Sequence, residues 1–129
     1  MATVGNVMAT RLLTVEESLP LAEAARQMHE RRVGAVLVLA GERVCGILTE
    51  RDVLRAVALG RVEGTDVAEW MTRNPETIEP SDTTAHAASM MIHGGFRHLP
   101  VVDGSRPVGI VSIRDLMRVV LDDQTPRGA

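Results

Sequence analysis

The chain contains one phenylalanine, one tryptophan and no tyrosine, so it lacks the rings on which proteins stack nucleic-acid bases or cage organic cations. Any pocket for a base must here be aliphatic. Lysine is missing too: all 14 basic residues are arginine, a bias that genome composition explains as readily as a need for planar, permanently charged groups. Cysteine occurs once, at Cys45, which excludes an internal disulfide and suits a reducing compartment. The longest apolar run, Val33 to Ala40, has eight residues, too few to span a bilayer. The polar opening from Met1 to Asn6 lacks the apolar segment of a secretory signal, so a cytoplasmic location is expected. A net charge of −3 argues against a nucleic-acid or anionic-membrane binder, which needs a basic face to release counterions.

What is present is an ordinary globular composition, 129 residues with 45% hydrophobic and 24% charged, organised by an internal repeat. A shift of 63 residues aligns Met8 to Val57 with Met71 to Val120 without a gap. Identical pairs include Met8/Met71, Thr14/Thr77, Ser18/Ser81, Ala24/Ala87, Met28/Met91, Gly46/Gly109, Ile47/Ile110, Arg51/Arg114, Asp52/Asp115 and Arg55/Arg118.

Each copy reads as β-α-β-β-α. A short extended stretch, Leu13 to Val15 or Thr77 to Ile78, leads to Ser18 or Ser81, a helix start signal. Leu21, Ala24, Ala25 and Met28 then recur at helical spacing, as do Thr84, Ala87, Ala88 and Met91. A β-branched strand (Ala35 to Leu39; His98 to Val102), a glycine turn and a second strand (Val44 to Leu48; Val108 to Val111) form a hairpin. A second helix starts at Thr49 or Ser112 and runs to about Leu59 or Leu121, with Val53, Leu54 and Val57 matching Leu116, Met117 and Val120. The fold class is therefore α+β, with repeats at residues 1–63 and 64–129 expected to pack about a pseudo-twofold axis, because one copy alone buries little surface. Gly60 to Thr65 reads as the joint and Asp122 to Ala129 as a frayed tail.

The strand-to-helix junctions carry the chemistry. Gly46-Ile47-Leu48-Thr49-Glu50-Arg51-Asp52 and Gly109-Ile110-Val111-Ser112-Ile113-Arg114-Asp115 share the form Gly, two apolar residues, a hydroxyl, two variable positions and Asp. One reading is a capping box, in which hydroxyl and carboxylate satisfy the first amides of the helix. The other is a nucleotide site: a carboxylate accepts from both hydroxyls of a ribose, and a helix N-terminus with a hydroxyl faces phosphate. The glycine removes a side chain where a ligand or another backbone comes close.

As an ordered set with Phe96-Arg97-His98-Leu99-Pro100-Val101-Val102-Asp103-Gly104 and with Met71-Thr72 before Thr77, these motifs resemble the CBS-domain family, whose members occur as tandem pairs. The resemblance covers nearly the whole chain. It implies a non-catalytic regulatory module that binds adenosine ligands of the AMP, ADP and ATP class, with no required cofactor. S-adenosylmethionine or a dinucleotide is the alternative ligand, and a structural dimerisation module is the alternative role. It also implies that Thr49 with Asp52, and Ser112 with Asp115, hold ribose and phosphate in clefts built across the pair. Thr77, Arg97, His98 and Leu99 would then complete the Asp52 site, and Thr14, Gly34, Ala35 and Val36 the Asp115 site. A homodimer through the repeat helices is implied as well; the regulated partner is not.

Other candidates have plainer readings. Cys45, in an apolar strand, is a small core residue rather than a nucleophile. Asp82, His86 and His93 fall in one helical region, and Asp82 with His86 has the i, i+4 spacing of a metal pair, but no clear third ligand completes it, so no metal site is expected. Trp70 either anchors the lead-in to the second copy or makes a dimer contact.

Overall fold

The computed structural model describes residues 2–124, and these form two compact units: Leu12–Pro75, and 2–11 together with 76–124. Each has the same plan. In the first, β1 (Thr14–Glu16), α2 (Leu21–Arg31), β2 (Ala35–Ala40), β3 (Arg43–Thr49) and α3 (Glu50–Ala58) are followed by a single 3-10 turn (Val67–Glu69) and β4 (Thr72–Arg73). The sheet order is β1-β2-β3-β4, with β1 parallel to β2 and the other pairs antiparallel. The second unit opens with α1 (Val4–Val7) and continues with α4 (Thr84–Gly94), β5 (His98–Asp103), β6 (Arg106–Ser112) and α5 (Ile113–Gln124).

The hairpins follow from glycines at Gly41 and Gly104, whose φ values of +65° and +66° only glycine adopts without strain. In α2, Leu21, Ala24 and Met28 turn into a core shared with Val36, Val38 and Leu48. In α4, Ala87 and Met91 do the same against Leu99, Val101 and Val111. Removing each large side chain of this kind from water contributes about 1.5–3 kcal/mol.

The units do not coincide with the repeats, because each lead-in lies on the other copy's sheet. Ala9 exchanges backbone hydrogen bonds of 2.8 and 3.0 Å with Ile110, next to β6. In the same way β4 pairs with β3, placing Thr72 opposite Ile47. The chain changes unit at Arg11–Leu12 and at Pro75–Glu76, so the stretch around Gly60 to Thr65 is a turn within a unit. Trp70 settles into the first unit's core, 5% exposed, with its indole N–H donating to Thr65 Oγ1 at 2.8 Å and Arg55 and Arg61 over its ring. It is a lead-in anchor.

Three local expectations change. Ser18 and Ser81 do not cap helices: α2 starts after Pro20 without a side-chain cap, and α4 after Thr83, whose hydroxyl accepts from the His86 amide at 3.1 Å. Asp82 instead closes the turn ahead of α4 by accepting from the Glu79 amide. Thr77 to Ile78 makes only an isolated parallel bridge, Ile78 to Val101, rather than a strand. On the second helices, Leu54, Val57, Met117 and Val120 are exposed, leaving an apolar face open. Finally, α5 runs to Gln124, so the proposed tail begins inside a helix, and residues 125–129 lie outside those described.

Candidate functional site

Thr49 ends β3 and caps α3; Ser112 ends β6 and precedes α5. The register of each hairpin sets Ala35 opposite Thr49 and His98 opposite Ser112. One residue further out, the Glu50 amide donates to the Gly34 carbonyl at 2.9 Å, and the Ile113 amide to the Arg97 carbonyl at 2.8 Å. Two equivalent clusters result: Gly34, Ala35, Thr49 and Asp52 in one unit, and Arg97, His98, Ser112 and Asp115 in the other.

Both carboxylates cap. Asp52 Oδ2 accepts from the Thr49 amide at 2.8 Å and its hydroxyl at 3.1 Å, completing a capping box. Asp115 Oδ2 accepts from the Ser112 amide at 2.9 Å, while the Asp115 amide donates to Ser112 Oγ at 3.1 Å. The second oxygens are engaged more loosely: Asp52 Oδ1 lies 3.7 Å from Arg55 Nη2, and Asp115 Oδ1 lies 3.7 Å from Arg118 Nη1. Those distances are beyond hydrogen bonding, and both arginines are exposed. Each aspartate is thus held by one oxygen and leaves the other without a hydrogen bond, Asp52 8% exposed and Asp115 half-buried, which is compatible with both readings of the motif.

The remaining expected residues divide by accessibility. Thr14, Thr77 and Arg97 are exposed and His98 is half-buried, so their side chains can meet a ligand. Val36 and Leu99 are 1% and 0% exposed, and their side chains belong to the two cores. Cys45 is half-buried against the first core. Among the described residues no group of three or more His, Cys, Asp or Glu is placed to hold a metal ion.

The motif glycines make room for backbone. A Cβ on Gly46 would stand 2.5 Å from Met71 Sδ and 3.1 Å from the Thr72 carbonyl oxygen; on Gly109 it would stand 2.5 Å from Met8 Sδ and 3.0 Å from the Ala9 oxygen. Sequence reasoning left the choice between ligand and backbone open, and did not join the glycines to the methionines. The signal was there, since both glycines and both methionines are identical pairs of the repeat.

The family model described as CBS domain matches residues 4–59 and 67–122. The chain belongs to the CBS-domain family. A CBS domain-containing protein of Bacillus subtilis, YhcV, is 36% identical over 117 residues, covering 90% of this chain and 84% of that protein. The longer CBSCBSPB5 of Arabidopsis thaliana is 37% identical, but this chain spans only 21% of it. Among solved structures, the CBS domain pair of MJ0100 in complex with 5′-methylthioadenosine and S-adenosyl-L-methionine superposes with a TM-score of 0.90 at 25% identity, covering 96% of this chain and 99% of that one. CBSX2 in complex with AMP superposes at 0.82 and 25% identity, covering 97% and 100%. As in these CBS pairs, the fold is mixed α+β with two repeats.

Proposed function

We propose that this CBS pair is a non-catalytic cytoplasmic sensor of adenosine nucleotides of the AMP, ADP and ATP class. The observation that carries the reading is the duplicated junction, in which an aspartate is fixed by its Oδ2 to the helix start and presents Oδ1 beside an exposed arginine. A ribose diol displaces that loose ion pair and donates to the carboxylate, while the first helical amides face phosphate. In this reading Thr49 and Asp52 hold ribose and phosphate in the first unit, beside Gly34, Ala35 and Val36, and Ser112 and Asp115 do so in the second, beside Arg97, His98 and Leu99. Val36 and Leu99 contribute backbone, since their side chains are buried. AMP bound to CBSX2 and S-adenosylmethionine bound to MJ0100 support the ligand class. Ligand binding regulates a partner protein to the extent that it binds one arrangement of the pair better than another.

A second reading, a structural dimerisation module whose aspartates only cap, is favoured by the completeness of the capping geometry. The exposed Leu54, Val57 and Leu59 of the first unit and Met117, Val120 and Leu121 of the second support homodimerisation in either case. Calorimetry with AMP, ATP and S-adenosylmethionine separates the two: the sensor binds at least one of them, and the structural module binds none.

A further inference from the structure

The two junction motifs, Thr49 to Arg55 and Ser112 to Arg118, share nearly all their charges: Arg51/Arg114, Asp52/Asp115 and Arg55/Arg118 recur. They differ at one pair of adjoining positions. Glu50 opens α3 where Ile113 opens α5, and Gly34 stands where Arg97 stands. The Glu50 carboxylate folds back over the glycine, its atoms 3.3–3.5 Å from where a Cβ of residue 34 would be. That spot in the first unit therefore carries a negative charge, and its counterpart in the second carries an exposed guanidinium. Among the described residues, neither Glu50 nor Arg97 is in an ion pair, so both charges face outward unneutralised.

We propose that the two equivalent surfaces discriminate adenosine ligands by the charge of the 5′ substituent. The surface bearing Arg97 takes an anionic phosphate, which a guanidinium grips with paired hydrogen bonds. The surface bearing Glu50 takes an uncharged or cationic 5′ group, because a phosphate there meets a like charge that ligand burial leaves poorly screened. The proposal rests on the adenosine-binding reading above and deepens it. Arg31 and Arg32, whose counterparts are Gly94 and Gly95, close α2 ahead of the junction and are assigned no part in it.

Calorimetric titration of the whole chain with AMP and, separately, with 5′-methylthioadenosine tests this. Wild type takes up a single AMP per chain. Arg97→Ala weakens AMP by about tenfold or more, the loss of one charge-assisted contact, and leaves 5′-methylthioadenosine unchanged. Glu50→Gln admits a second AMP, and Arg32→Gly leaves both titrations unchanged. Arg97→Gln, which keeps the length of the side chain, repeats the test if Arg97→Ala melts early. AMP binding that is indifferent to Arg97 and Glu50, or that weakens on loss of Arg32, overturns the charge discrimination while leaving the sensor reading in place. A wild-type protein that binds neither compound overturns the sensor reading itself, and this inference with it.

Discussion

Met71 packs its sulfur against the bare Cα of Gly46, at the place where any side chain would begin. Met8 and Gly109 repeat the relationship in the other unit. In both, the lead-in strand is drawn so close that the neighbouring carbonyl oxygen also bars a Cβ. Gly46→Ala and Gly109→Ala are each expected to destabilise the protein by about 1–3 kcal/mol, the usual cost of forcing atoms into a packed site. Thermal unfolding measures it, and an unchanged midpoint contradicts the packing described.

Arg32 ends α2 in the left-handed region, φ 55°, where its counterpart Gly95 has φ 72°. A side chain in that conformation costs about 1–2 kcal/mol, partly offset by the backbone freedom a glycine loses on folding. Arg32→Gly is therefore expected to stabilise the fold by about 0.5–1 kcal/mol, read from denaturant unfolding. A loss of stability contradicts it.

Trp70 is held by a buried hydrogen bond to Thr65 and by the two arginines over its face. Trp70→Ala leaves a cavity in the first core and is expected to cost about 3–5 kcal/mol. A dimer-contact role would instead leave monomer stability unchanged and shift the sedimentation coefficient.

Glu23 has its carboxyl lowered from an ordinary 4.5 to about 2, first by the hydrogen bond from Arg26 and then by that from Gln27. A carboxylate with a depressed folded-state value stabilises above its unfolded value. Its contribution is complete above pH 4.5 and is lost as the pH falls toward about 2. On the helix surface that contribution is small, so the check is the titration itself. NMR should find a midpoint near 2 that moves back up in Arg26→Ala, and a midpoint near 4.5 in wild type contradicts the contact.

The repeat made most of this fold legible. Strands β2, β3, β5 and β6 lie within two residues of their expected ends, because β-branched runs bounded by glycine turns leave few alternatives. Helix starts were less legible. Ser18 and Ser81 carry the right hydroxyls, but Pro20 and Thr83 are the residues that adopt the extended cap conformation, and side-chain chemistry alone does not say which residue of a turn that is. What covers the second helices was not legible either: α3 buries Asp52 and Ala56 and leaves Leu54 and Val57 exposed, and periodicity reveals an apolar stripe without saying what covers it. At the junction motif, two readings that looked exclusive proved compatible, since one aspartate has an oxygen for each.

That division of labour is what Asp→Asn variants interrogate. Asparagine keeps an acceptor for the cap but loses the charge that holds a ribose, so Asp52→Asn and Asp115→Asn should stay folded within about 1 kcal/mol. The most direct test of the sensor reading is AMP titration of the wild type and of the Asp52→Asn, Asp115→Asn double variant. Saturable binding in the wild type that vanishes in a folded double variant is the predicted result. Equal binding by both proteins, or none by either, contradicts it.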